Sequence, residues 1–136
     1  PVDVGNPHVV SVLQPADDLA GLDLSRAPQL DPVDRFPEGV NAEFVTLTAP
    51  DILTMRVHER GSGETWSCGT GVVAAAAAAG GAEEGEPITV VVPGGTLEVR
   101  FAAGEATLTG PAVLVATGHW LLGAEDSTAP AEEVNP

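Results

Sequence analysis

The chemistry-bearing residue that stands out is a lone cysteine. Cys68 lies in GETWSCGTGVVAAAAAAGG, Gly63 to Gly81, between a serine and a Gly-Thr-Gly run that leads into the alanines Ala74 to Ala79. Alanine has the highest helix propensity, and the Gly80-Gly81 pair supplies a left-handed residue of the kind that ends helices. The spacing therefore predicts a helix whose amino-terminal end is Ser67-Cys68-Gly69-Thr70-Gly71. The first N–H groups of a helix have no internal partners and carry partial positive charge, so such an end binds anions and stabilises a thiolate. Gly69 and Gly71 leave room for a ligand carboxylate at the backbone. Sulfur placed there can act as a base, as a nucleophile or as both; the plainer reading is a small buried hydrophobe.

Further polar residues could complete a site around that end. Asn6 and His8 lie in GNPH, a turn from which side chains can reach a ligand, although an Asn cap and a solvated His explain the motif as well. Asn41 begins a strand in FPEGVNAEF and could equally satisfy its own backbone. Glu59 and Arg60 close another strand and point towards the Cys68 loop, where a carboxylate would hold an ammonium and a guanidinium a carboxylate; their plainer role is a surface ion pair. The histidines form no spaced set with Cys or Glu that resembles a metal site, and His119 reads as structural. Metal and cofactor are both expected to be absent.

The elements that must position these residues are mostly strands. Pro1 to Leu13 reads as strand, turn, strand about Gly5-Asn6-Pro7. Gln14 to Glu38 reads as loop with a short helix in PADDLAGL, started by Pro15. VNAEFVTLTA and DILTMRVHE alternate as a hairpin, with Leu53, Met55 and Val57 on one side and Thr54, Arg56 and His58 on the other. After the helix, turns at Pro93-Gly94-Gly95 and Ala103-Gly104 mark an antiparallel meander. The alanine rod is slim enough to be enclosed, so the expected fold is α+β: a strongly curved, barrel-like antiparallel sheet wrapped around a central Ala-rich helix. The domain is expected over residues 1–122, with 123–136 an acidic, disordered tail.

Size and charge restrict the partners. The 136 residues, 43% of them hydrophobic, suit one domain with a true core. A net charge of −15, from 20 acidic residues against 5 arginines, repels nucleic acid and anionic membranes. One cysteine makes no internal disulfide, no signal peptide is recognisable, and the longest apolar run falls short of the roughly 18 residues that span a bilayer. A cytoplasmic protein is the expectation.

GNPH at Gly5 to His8, FPEGVNAEFV at Phe36 to Val45, and MRVHERGSGETWSCGTGVVAAAAAA at Met55 to Ala79 closely resemble the carboxy-terminal half of diaminopimelate epimerase. VPGG and GPAVLVATG extend the likeness over nearly everything before the acidic tail. The resemblance implies one of two pseudo-symmetric domains, each a curved sheet around a central helix, with the substrate in the cleft between them. It also implies a pyridoxal-independent epimerase that interconverts LL- and meso-diaminopimelate for lysine and peptidoglycan-precursor synthesis.

By the same resemblance Cys68 is one of two acid–base cysteines, and the N–H groups of Gly69 and Thr70 hold the reacting carboxylate. Asn6, Asn41, Glu59 and Arg60 match substrate-binding positions, and His8 and Glu59 match positions that tune the cysteines. Removing an α-proton without a cofactor needs a thiolate on one face of the carbon, a thiol on the other and stabilisation of the developing carbanion. The family's other cysteine belongs to an amino-terminal half with no counterpart in these residues. The chain is thus expected to be a fragment or separated domain, a subunit of a split enzyme, or a half that pairs with itself as a homodimer. The fragment reading predicts an exposed apolar face and inactivity without the other half. Two alternatives stay open: a proline racemase-like isomerase, separable by competition with proline, and a non-catalytic carboxylate-binding module that would retain affinity in Cys68→Ser.

Overall fold

β-Branched runs punctuated by turn residues produce strands along most of the chain, and the alanines produce one helix. The structure is a computed structural model and describes residues 1–14, 17–32, 34–80 and 83–119. In chain order the described elements are β1 (Val2–Asp3), β2 (Pro7–Val12), β3 (Asn41–Ala49), β4 (Ile52–Glu59), β5 (Gly63–Thr65), α1 (Gly69–Ala79), β6 (Ile88–Val92), β7 (Gly95–Ala102) and β8 (Glu105–Thr109). The strands form one sheet in the order β1-β2-β3-β4-β6-β7-β8, with β5 attached to β4.

The expected hairpins form: β1 with β2, β3 with β4, β6 with β7 and β7 with β8 pair antiparallel. The sheet is nevertheless mixed, because β2 runs parallel to β3 and β4 parallel to β6. A parallel pair requires a long crossover, since a tight turn can only reverse the chain. Residues 13–40 make the first crossover, and β5 with α1 makes the second. The sheet curls about α1, which packs against β2, β3 and β4 and reaches β1, β6, β7 and β8. The helix-in-sheet expectation therefore holds, with two joints of opposite sense.

Alternation along β4 buries Leu53, Met55 and Val57, which meet Val45 of β3, Val90 and Val92 of β6 and Val99 of β7. Val72, Ala75 and Ala76 of α1 complete this core. A helix that is apolar on all sides is one that the fold encloses. Its small side chains bring the strands close: a Cβ on Gly80 would stand 2.4 Å from Ile88 Cδ1 and 2.5 Å from the Ala76 carbonyl oxygen.

Three expectations need correction or relocation. Gly80 ends α1 in an extended conformation (φ −71°, ψ 140°) rather than a left-handed one, so glycine is required there by close packing; Gly81 lies outside the described residues. The helix expected in PADDLAGL is absent from its described part, residues 17–22. The Asp17 carboxylate accepts from the Gln14 N–H at 2.7 Å, and the Leu19 and Ala20 carbonyls accept from Arg56 Nη1 at 2.7 and 2.8 Å. The two contacts to Arg56 take carbonyls that a helical ladder would use. The segment is a loop pinned by Arg56 and by the buried Leu19 and Leu24. Residues 120–136, with the end of the expected domain and the whole acidic tail, lie outside the described residues.

Candidate functional site

Strand register gathers most of the candidates at one end of the neighbouring strands β2, β3 and β4. His8 is paired with Asn41 across the parallel β2–β3 joint, and Ala42 with His58 across the antiparallel β3–β4 joint. The start of β2, the start of β3 and the end of β4 are thereby neighbours, which joins Asn6 and His8 to Asn41 and to Glu59 and Arg60.

These side chains bond to one another and to nearby backbone. His8 Nε2 lies 3.0 Å from Asn6 Oδ1, so His8 is not the solvated turn residue that GNPH also allowed; it is fully buried. Asn41, 7% exposed, accepts at Oδ1 from the Arg60 backbone N–H at 2.9 Å, across the strand joint rather than from its own turn. Glu59 accepts from the Thr65 hydroxyl, which leans it into the loop that leads to Cys68. The Arg60 guanidinium instead reaches the Glu38 and Gly39 carbonyls, at 3.3 and 3.5 Å. Glu59 and Arg60 thus have separate partners and form no ion pair.

Arg60 lines a cavity of about 350 Å³ with Asn6, Arg35, Phe36, Glu38 and Gly39. Two of the chain's five arginines line this space against the one carboxylate of Glu38, so its lining is net cationic in a molecule of net charge −15. Cys68 is not among its lining residues.

Cys68 is the N-cap of α1, with extended backbone (φ −129°, ψ 108°), and its carbonyl accepts the Val72 N–H at 2.8 Å. No side chain caps this end, and the first turn holds no acidic residue. Gly69 and Thr70 are exposed, and the first N–H groups of a helix have no partner within it. The Cys68 thiol is buried, 7% exposed, with Sγ 3.6 Å from Thr70 Oγ1. Gly71 departs from the reading that it makes room for a ligand. A Cβ there would stand 2.6 Å from Glu43 Oε1 and 3.3 Å from Cys68 Sγ, so its open space is filled by the acid and the thiol.

Glu43 is absent from the sequence-derived candidates. It is fully buried on β3, and its Oε1 lies 2.6 Å from His8 Nδ1 while its Oε2 has no partner among the described residues. Burial pushes its carboxyl above the ordinary glutamate value, against the opposing pull of the His8 hydrogen bond. The signal was present in the strand pattern: Glu43 is in phase with Val45, on the face that alternation assigns to the core.

Among the described residues no group of three His, Cys, Asp or Glu side chains could hold a metal ion, and no helix is long and apolar enough to cross a membrane.

The family model for diaminopimelate epimerase matches residues 1–118. The diaminopimelate epimerase of Acidothermus cellulolyticus is 52% identical over 128 residues, which are 90% of this chain and 41% of that relative. Those of Rhodococcus opacus, 52% identical over 123 residues, and Mycolicibacterium smegmatis, 49% over 126, match 87% and 88% of this chain. The chain spans about two fifths of the length of the curated relatives it matches.

Proposed function

The chain belongs to the diaminopimelate epimerase family, and from that premise we propose that it supplies one of the two acid–base cysteines of a pyridoxal-independent epimerase of LL- and meso-diaminopimelate. The observation that carries this reading is Cys68 as the uncapped start of α1, followed by the exposed residues Gly69 and Thr70. In the reaction the Cys68 thiolate takes the α-proton from one face of the substrate carbon. A thiol on the opposite face gives a proton to the carbanion, leaving inverted carbon, a Cys68 thiol and a new thiolate. The reverse direction exchanges the two roles.

The helix start contributes charge stabilisation, because fixed N–H dipoles aimed at the carboxylate lower the energy of the carbanion as charge spreads onto it. Asn6, Asn41, Glu59 and Arg60 hold the substrate's amino and carboxylate groups; His8 and Glu59 adjust the cysteines' protonation. The cationic cavity of Asn6, Arg35 and Arg60 supports a carboxylate-bearing ligand at this end of the strands. The opposing cysteine and the other wall of the cleft come from the amino-terminal half that relatives of greater length contain.

The test is proton exchange. Full-length protein incubated with LL-diaminopimelate in heavy water should place deuterium at the α-carbon of inverted product, and Cys68→Ser should lower the rate by about 10²-fold or more, the scale of a lost acid–base group. Inversion that survives Cys68→Ser would sink the proposal, and ligand binding without any exchange would identify a carboxylate-binding module instead.

A further inference from the structure

The buried acid of β3, the buried imidazole of β2 and the half-buried amide of the turn before β2 form a continuous chain: Glu43 Oε1 to His8 Nδ1 at 2.6 Å, then His8 Nε2 to Asn6 Oδ1 at 3.0 Å. An amide oxygen only accepts, so His8 Nε2 must carry a proton. His8 Nδ1 then either donates to an ionised Glu43 or accepts from a protonated one. The two arrangements contain the same number of protons and have the same net charge of zero; they differ only in where one proton sits along the 2.6 Å contact. A neutral His8 protonated at Nδ1 alone would set two lone pairs against each other at Asn6.

We propose that Glu43 is a positioning residue: by sharing one proton with His8 it keeps Nε2 protonated, and so holds the Asn6 amide with Oδ1 inward and its N–H donors presented to an anionic group in the Arg60 cavity. Three features favour a neutral, shared pair over a bare glutamate. Glu43 Oε2 is buried without a partner, and an unpaired anionic oxygen in a core is costly. Burial displaces the Glu43 carboxyl towards its protonated form, and Glu59 on β4 acts in the same direction. The Cys68 thiol of α1 borders the same small space at Gly71, where an uncompensated carboxylate would oppose a thiolate. Asn6 and His8 stand beside the Arg60 cavity, and Glu43 adds the reason for their orientation.

That the anionic group is a diaminopimelate carboxylate rests on the function proposed above, so the test has an arm independent of it. In ligand-free, full-length protein labelled with ¹⁵N in its histidines, NMR should show His8 protonated at Nε2 and a strongly downfield proton between His8 and Glu43. A bare Nε2 would overturn the proposal whatever the enzyme does. In the second arm, Glu43→Gln, whose amide N–H can replace the acid O–H towards Nδ1, should keep both the protonated Nε2 and the KM for diaminopimelate. Glu43→Val should lose the protonated Nε2 and raise KM about tenfold, the scale of one hydrogen bond to a charged group, with a smaller change in kcat. An unchanged Nε2 state and KM in Glu43→Val would also overturn it. Should that variant fail to fold, the wild-type spectrum decides alone. If the enzyme ignores diaminopimelate while the wild-type spectrum is as expected, the substrate reading fails and the positioning role stands.

Discussion

At the scale of single residues, two positions have no slack. Asn41 answers the Arg60 backbone N–H from a nearly buried site, so Asn41→Ala leaves a donor without a partner. The expected loss of stability is about 1–3 kcal/mol, read by denaturant unfolding, with Asn41→Asp closer to wild type because an oxygen acceptor remains. Gly71 lets α1 approach β3 closely enough for Glu43 and Cys68 to share its space. Gly71→Ala inserts a methyl at 2.6 Å from Glu43 Oε1 and should cost about 1–3 kcal/mol despite alanine's better helix propensity. A variant more stable than wild type would show that α1 and β3 are not packed as described.

At the scale of elements, Arg56 on β4 fastens the loop after β2. Its guanidinium holds the Leu19 and Ala20 carbonyls and makes a two-pronged contact with Glu64, Nε to Oε1 at 2.7 Å and Nη2 to Oε2 at 2.9 Å. Hydrogen bonding from Arg56 keeps the Glu64 carboxyl below its ordinary value of 4.5. A lowered acid binds fewer protons folded than unfolded, so its contribution is complete above pH 4.5 and is lost as pH falls through the lowered value. The pair is partly exposed, which limits that contribution to about 0.5–1 kcal/mol. Thermal unfolding of Glu64→Gln should therefore show a smaller decline in stability below pH 4.5 than wild type. In Arg56→Gln hydrogen exchange should accelerate across residues 17–25, because their carbonyl anchor is gone. Equal exchange rates would mean that the buried Leu19 and Leu24, with the contact of His58 Nδ1 to the Leu24 carbonyl at 2.9 Å, hold the loop without Arg56.

At the scale of the whole molecule, several large apolar side chains stand exposed. Residues 110–119, after β8, are exposed, with Val113, Leu114 and Val115 at 78, 81 and 90%, and Trp66 is exposed at 77%. Apolar side chains exposed in this way can be covered by another protein surface. The 136-residue chain studied alone should associate with rising concentration despite its charge of −15. Light scattering should show this association, and Leu114→Asp should suppress it; a strictly monomeric wild-type chain would place the interface elsewhere.

Local features of the sequence determined the elements that obey local physics. Alternation marked β3 and β4, glycine turns marked the β6–β8 meander, and alanine propensity marked α1 with Cys68 at its start. These depend on neighbours in the chain and so can be read from it. The two parallel joints depend on how long crossovers return, and no local pattern encodes that. They decide the site, because the β2–β3 register sets His8 beside Asn41. Over residues 17–22 tertiary contacts also replaced the helix expected in PADDLAGL with a loop tied to Arg56, where distant hydrogen bonds outweighed a weak local preference. Glu43 joins the two levels: its place on the core-facing side of β3 could be read from the sequence, but only the fold brings it to His8, Gly71 and Cys68 and makes a buried acid part of the site.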